Sequence, residues 1–186
     1  MKKQFNWKEI WENKGKIKTN NLKLLDGFEE TTINPKKVAK KISELLNIKK
    51  TDRVLEVGCG AGMLAQFFNC DYVGVDYSIT LLKKHSKILK NSVFCAEANK
   101  LNFKDNSFDI VIVYSVFQYF PNKNYAKEVL KELKRVCSRV IFIGDIPIKS
   151  HCDQHLIYSK NDFNGEISEG FYNKDRYNVM IKYESN

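Results

Sequence analysis

The chain has 186 residues, 43% of them hydrophobic and 12% aromatic, which suits one domain around one core. Its formal charge of +9 comes from 31 basic and 22 acidic residues, but only four of the basic ones are arginines and the lysines are spread along every helix, so no nucleic-acid partner is expected. The five cysteines (Cys59, Cys70, Cys95, Cys137 and Cys152) form no C-x-x-C pair, and the longest apolar run, Ile110 to Phe117, is too short to cross a bilayer; a metal site, a disulfide framework and a membrane partner are therefore not expected, and with no apolar leader the expected compartment is the cytoplasm.

Residues 5–13 suit a short helix carrying Phe5, Trp7, Ile10 and Trp11, followed by a loop through Gly15 and the polar run Lys16–Asn21. Leu22, Leu24 and Leu25 lead into Asp26-Gly27, a turn pair. Asn34-Pro35 opens a helix whose buried stripe is Val38, Ile42, Leu45 and Leu46. Val54–Val57 reads as a first strand, and a helix is predicted over Gly62–Phe68. A second strand, Tyr72–Val75, runs into Asp76. Ser78 then caps a helix with Leu81, Leu82, His85, Ile88 and Leu89 on its apolar face. Val93–Ala96 is a third strand. Phe108–Tyr114 is a fourth, nearly all apolar as a strand covered on both faces should be. A helix from about Asn124 to Val136 precedes a fifth strand, Val140–Ile143, which Gly144-Asp145-Ile146-Pro147 is expected to end sharply. In the tail, Tyr177, Val179, Ile181 and Tyr183 alternate with polar residues, and Glu166–Tyr172 is placed to pair with them across Asn173-Lys174-Asp175. This βα rhythm predicts an α/β fold, a doubly wound and mostly parallel sheet with helices on both faces.

The turn after the first strand carries the most information. Leu55-Glu56-Val57-Gly58-Cys59-Gly60-Ala61-Gly62 places three glycines at alternate positions, where the backbone can take positive φ and come close to a ligand. The spacing is G-x-G-x-G, not the G-x-G-x-x-G of dinucleotide folds. Asp76 follows 18 residues after Gly58, about the distance at which a nucleotide-binding sheet puts a carboxylate on a ribose. Together with Val73-Gly74-Val75-Asp76-Tyr77-Ser78, Ala96-Glu97-Ala98 and Asp105-Asn106-Ser107-Phe108-Asp109-Ile110-Val111, this turn resembles the class I S-adenosylmethionine-dependent methyltransferases, from about Val38 to Ile143. The resemblance implies a Rossmann-like methyltransferase fold of seven strands or a reduced set, with a final antiparallel hairpin. It implies a helical lid over residues 1–33, a cofactor core over 34–145 and an acceptor-side tail over 146–186.

It also implies a site for S-adenosylmethionine. Gly58, Cys59, Gly60 and Gly62 would pass backbone along the methionyl part, the amides that follow would meet a polar ligand edge, and Glu56 would reach the ammonium group. Asp76 would accept the two ribose hydroxyls, with Tyr77 and Leu81 as walls of the adenine. Glu97 and Ala98 would meet the adenine edge, although the family usually has aspartate where this chain has Glu97. Ser115, Val116 and Gln118 would form the floor, and Lys14 or Lys16 could pair with the cofactor carboxylate. Cys59 reads as a small filler of the loop. Tyr119, Asp145 and His155 are the candidates for proton transfer. His85 reads as a helix-face residue, and His151 with His155 and Cys152 lacks the spacing of a zinc site.

The expected activity is methyl transfer to a hydroxyl or amine of a small molecule, a metabolite or sugar precursor. An RNA or protein acceptor, a non-catalytic cofactor-binding protein of the same fold and a nicotinamide oxidoreductase are the alternatives. The glycine spacing argues against the last.

Overall fold

The computed structural model describes residues 6–29, 31–149 and 154–183. Seven strands form one sheet: β1 (Arg53–Val57), β2 (Asp71–Asp76), β3 (Ser92–Cys95), β4 (Phe108–Tyr114), β5 (Cys137–Pro147), β6 (Glu166–Glu169) and β7 (Arg176–Lys182). Their order is β3-β2-β1-β4-β5-β7-β6. The first five are parallel, and β7 and β6 add an antiparallel edge. The expected doubly wound sheet and final hairpin are both present.

Period-two alternation divides the sheet's side chains between two cores. Leu55, Val57, Val111 and Val113 pack on one face with Val129, Leu133 and Val136 of α5 (Lys123–Val136). Val54, Ile110 and Ile112 pack on the other with Val38 and Ile42 of α3 (Pro35–Leu45) and Leu81 of α4 (Ile79–Leu89). Asn34, Ser78 and Asn122 cap these three helices, each side chain accepting from an amide of the first turn.

Four predicted boundaries move. The helix expected over Gly62–Phe68 reduces to one 3₁₀ turn, Ala65–Phe67. Gly62 is held at φ +98° and the amides of Ala61 and Met63 point sideways to Asp26, so no run of helical dihedrals forms there. The fifth strand does not stop at Ile143 but continues to Pro147. Its pairing with β7 shifts between Ile143 and Ile146, and Asp145 takes φ +63°, so Gly144-Asp145 is a bulge inside the strand and not its end. The strand expected over Glu166–Tyr172 stops at Glu169. The first helix, α1 (Trp7–Lys16), runs on through Gly15 to Lys16, where a loop was expected. Gly15 lies directly on the start of α4, and a Cβ there would stand 2.6 Å from the Leu81 amide. A single turn, α2 (Leu22–Leu25), then carries the chain to Asp26.

Candidate functional site

Strand order reverses between β1 and β4, the place where an open α/β sheet leaves a crevice at its carboxyl edge. A cavity of about 570 Å³ lies there, in the size range of a small-molecule site. Its floor is the glycine turn. The Val75 carbonyl accepts from the amides of Gly58 (2.7 Å) and Cys59 (3.0 Å), and Gly58, Gly60 and Gly62 have φ of +78°, +53° and +98°. The three glycines are therefore required by the turn itself.

They also make room for the protein's own side chains. A Cβ at Gly58 would strike Val116, one at Gly60 would strike Asp26, and one at Gly62 would strike Leu89 and crowd His85. Gly58, Cys59 and Gly60 border the cavity, whereas Gly62 lies behind it. Cys59 is buried, and burial with the nearby carboxylates holds its thiol well above the usual range, as a filler requires.

The expectation for the following amides is overturned. Those of Ala61 and Met63 already donate to Asp26, to Oδ1 at 2.6 Å and to Oδ2 at 2.8 Å. The sequence shows Asp26 only as half of a turn pair 35 residues upstream of Ala61. Burial raises its carboxyl to about 7, the amide bonds opposing and Asp76 adding to the rise. His85 was also missed: it is buried inside α4, its Nδ1 stands 3.2 Å from the Gly60 carbonyl, and its Nε2 has no partner. It braces the turn from below.

Two further carboxylates face the cavity. Asp76 Oδ2 accepts from the Gly60 amide at 3.0 Å and Oδ1 from the Ser78 amide at 2.8 Å, and burial raises the group to about 6. Glu56 Oε2 accepts from the Tyr72 hydroxyl at 2.6 Å. Burial raises it to about 8, against that bond and with the charges of Asp26 and Asp76. None of these three is ion-paired among the described residues, so together they lack a positive charge.

The upper wall belongs to the N-terminal segment. Trp7, Lys8, Trp11 and Phe28 border the cavity, as do Tyr77, Leu81, Ala98 and Ser115. Glu12 ties α1 to α4: its carboxylate accepts from the Ser78 hydroxyl at 2.6 Å and its carbonyl from the Thr80 hydroxyl at 2.6 Å. Glu97 borders the cavity and is held by the Lys8 ammonium and by the Tyr125 hydroxyl at 3.0 Å. Lys14 turns to Glu29 and the Leu24 carbonyl, and Lys16 to Asn13, so neither points at the turn.

The three proton-transfer candidates separate. Tyr119 borders the cavity, with its ring edge-on to Trp7 at 4.7 Å and to Trp11 at 5.2 Å. His155 stacks on Trp7 at 5.2 Å, behind that wall. Asp145 is not part of the lining; it pairs with Arg176 at 3.2 Å and its amide donates to Asn178. Gln118 is buried and donates to Ser115, whose φ of +59° strains the end of β4. No group of metal-ligating side chains occurs among the described residues; His151 and Cys152 lie outside them.

The fold and part of the sequence are similar to those of known proteins. Residues 55–140 match the family described as "Methyltransferase domain". An uncharacterized protein of Methanocaldococcus jannaschii, MJ0638, is 37% identical over 123 residues, 63% of this chain and 49% of that protein, so the chain spans about half the length of this relative. The PH0226 protein of Pyrococcus horikoshii has a similar fold over 96% of this chain and 100% of its own, with a TM-score of 0.69 at 17% identity. An S-adenosylmethionine-dependent methyltransferase of Clostridium acetobutylicum is similar over 86% of this chain and 96% of its own, with a TM-score of 0.66 at 14% identity. The strand order, the glycine turn and the match over residues 55–140 agree, and over that part the chain is similar to methyltransferase domains.

Proposed function

We propose that this chain binds S-adenosylmethionine at the switch-point cavity and methylates a hydroxyl or amine of a small molecule. The observation that carries the reading is the trio of Asp26, Glu56 and Asp76, which border one cavity and have no ion-pair partner among the described residues, burial raising the pKa of each. A ligand with a sulfonium and an ammonium supplies the missing charge, so the residues present fit that cofactor. When bound, the cofactor supplies a methyl group on a positive sulfur, which leaves as its bonding pair stays on the sulfur.

The chain's own residues bind and orient. Asp76 accepts from the ribose hydroxyls with the lone pairs that the Gly60 and Ser78 amides leave open, and Glu56 meets the ammonium. Tyr77 and Leu81 wall the adenine, while Glu97 and Ala98 meet its edge. Residues 1–33 act as a lid, 34–145 as the core and 146–186 as the acceptor-side tail. Tyr119 is the proton-transfer candidate in direct reach of an acceptor, since it borders the cavity. His155 acts through Trp7 and Tyr119, against whose rings it packs. Cys59, Cys70, Cys95 and Cys137 are free thiols, which suits a reducing cytoplasm.

The test is incubation with methyl-deuterated S-adenosylmethionine and a metabolite extract. A mass-shifted product and stoichiometric S-adenosylhomocysteine are expected. No product above a protein-free control would contradict the assignment.

A further inference from the structure

The protein is basic but its cavity is acidic. Against a net charge of +9, the cavity is bordered by the carboxylates of Asp26, Glu56, Asp76 and Glu97. Among the described residues bordering it, Lys8 is the sole cationic side chain, and it is already paired with Glu97. The other three carboxylates receive hydrogen bonds from backbone amides and one tyrosine hydroxyl, all neutral donors. Counted in their ionised forms, which a bound cation favours, the four carboxylates exceed Lys8 and the cofactor's single net positive charge by two. Part of the apolar wall is aromatic: Tyr119 meets Trp7 and Trp11 edge-on, and Phe28 and Phe120 also border the cavity.

We infer that the acceptor is an amine on a flat apolar body, and that acceptors bearing a carboxylate or phosphate are rejected. This rests on the methyltransferase reading and names the acceptor chemistry of that same site. An anionic acceptor would bring like charge to a desolvated acidic wall that offers no free ammonium or guanidinium to receive it. The lysines on the outer helix faces do not compensate, because exposed charges are screened over ~8–10 Å at physiological salt. In its ammonium form the amine gains from the carboxylates and from the electron-rich ring faces at once; it then releases a proton to solvent, and its freed lone pair forms the N–C bond as the C–S bond breaks. A flat body slides between rings already set at edge-on angles.

Calorimetry on the wild-type chain saturated with S-adenosylhomocysteine tests this with two matched pairs: tryptamine against indole-3-propionate, and phenethylamine against 3-phenylpropionate. Each pair shares a ring and reverses the charge. At least one amine is expected to bind, and to bind at least about tenfold more tightly than its carboxylate partner, the difference that one favourable charge contact in a partly dry site provides. A carboxylate that binds as well as its amine, or no binding by either pair, overturns the inference. The preceding titration with S-adenosylhomocysteine alone separates the two claims. If it fails, the cofactor reading falls. If it succeeds and the amines show no preference, only the acceptor assignment falls.

Discussion

Asp76 and Asp145 occupy comparable places, one at the carboxyl end of β2 and the other just past the last pairing of β5 with β4. Their surroundings differ. Asp145 faces Arg176 at 3.2 Å, with both side chains largely buried, so its charge is met within the fold. Asp76 receives only amides, its pKa rises to about 6, and Asp26 and Glu56 stand near it in the same condition. A strand-end carboxylate that the protein neutralises belongs to the architecture. One left without a cation awaits a ligand. The difference also separates the halves of the sheet, since the antiparallel edge is closed by its own ion pairs and the parallel half holds the cavity.

Substitutions can break or sharpen this contrast. The largest effect is expected at Gly60. Gly60→Val puts a branched side chain at φ +53° and into Asp26, and should abolish S-adenosylmethionine binding in calorimetry while circular dichroism still shows the sheet. Retained affinity would mean that the turn does not shape the site. Asp76→Ala should weaken binding by about 2 kcal/mol, roughly thirtyfold, because it removes the charge-assisted bonds proposed to the ribose and unties Gly60 from Ser78.

Glu56→Gln should weaken binding by a further-reduced ~1–2 kcal/mol and also change the response to pH. A carboxyl near 4.3 in the unfolded chain and about 8 in the fold means that the folded state holds the extra proton. Its contribution to the stability of the ligand-free protein is therefore full at low pH and lost as pH rises from about 4 to about 8. Glu56→Gln should flatten that decline in thermal melts, and an unchanged profile would show that Glu56 is not the group responsible. The smallest effect on affinity is expected at Asp145. Asp145→Asn should leave S-adenosylmethionine binding within about twofold while lowering stability by ~1–3 kcal/mol through loss of the largely buried ion pair with Arg176. A large loss of affinity there would return Asp145 to the site.

The parallel core was legible in the sequence because each strand is a short apolar run with a polar stop, and two of the helices carry a readable side-chain cap, Asn34 and Ser78. Asp76, Glu56, Tyr77 and Glu97 could be placed because they sit at strand ends, where topology fixes direction. Asp26 and His85 could not. Asp26 reaches the glycine turn through a tertiary contact from a separate segment, and His85 looks like any residue of an amphipathic helix until the Gly60 carbonyl is seen beside it. The bulge at Gly144-Asp145 was hidden for a related reason: the residues that end a strand also let one bend and continue when a partner strand, here β7, holds the far side.

A glycine turn ringed by uncompensated carboxylates should bind a cationic adenosyl ligand. Calorimetric titration of the wild-type chain with S-adenosylmethionine at pH 6 and pH 8, with NAD as the control, tests it most directly. One S-adenosylmethionine per chain is expected, bound more tightly at pH 8 as Asp26, Glu56 and Asp76 lose their protons, with no binding of NAD. Absence of S-adenosylmethionine binding at both pH values, or binding that weakens from pH 6 to pH 8, would contradict it.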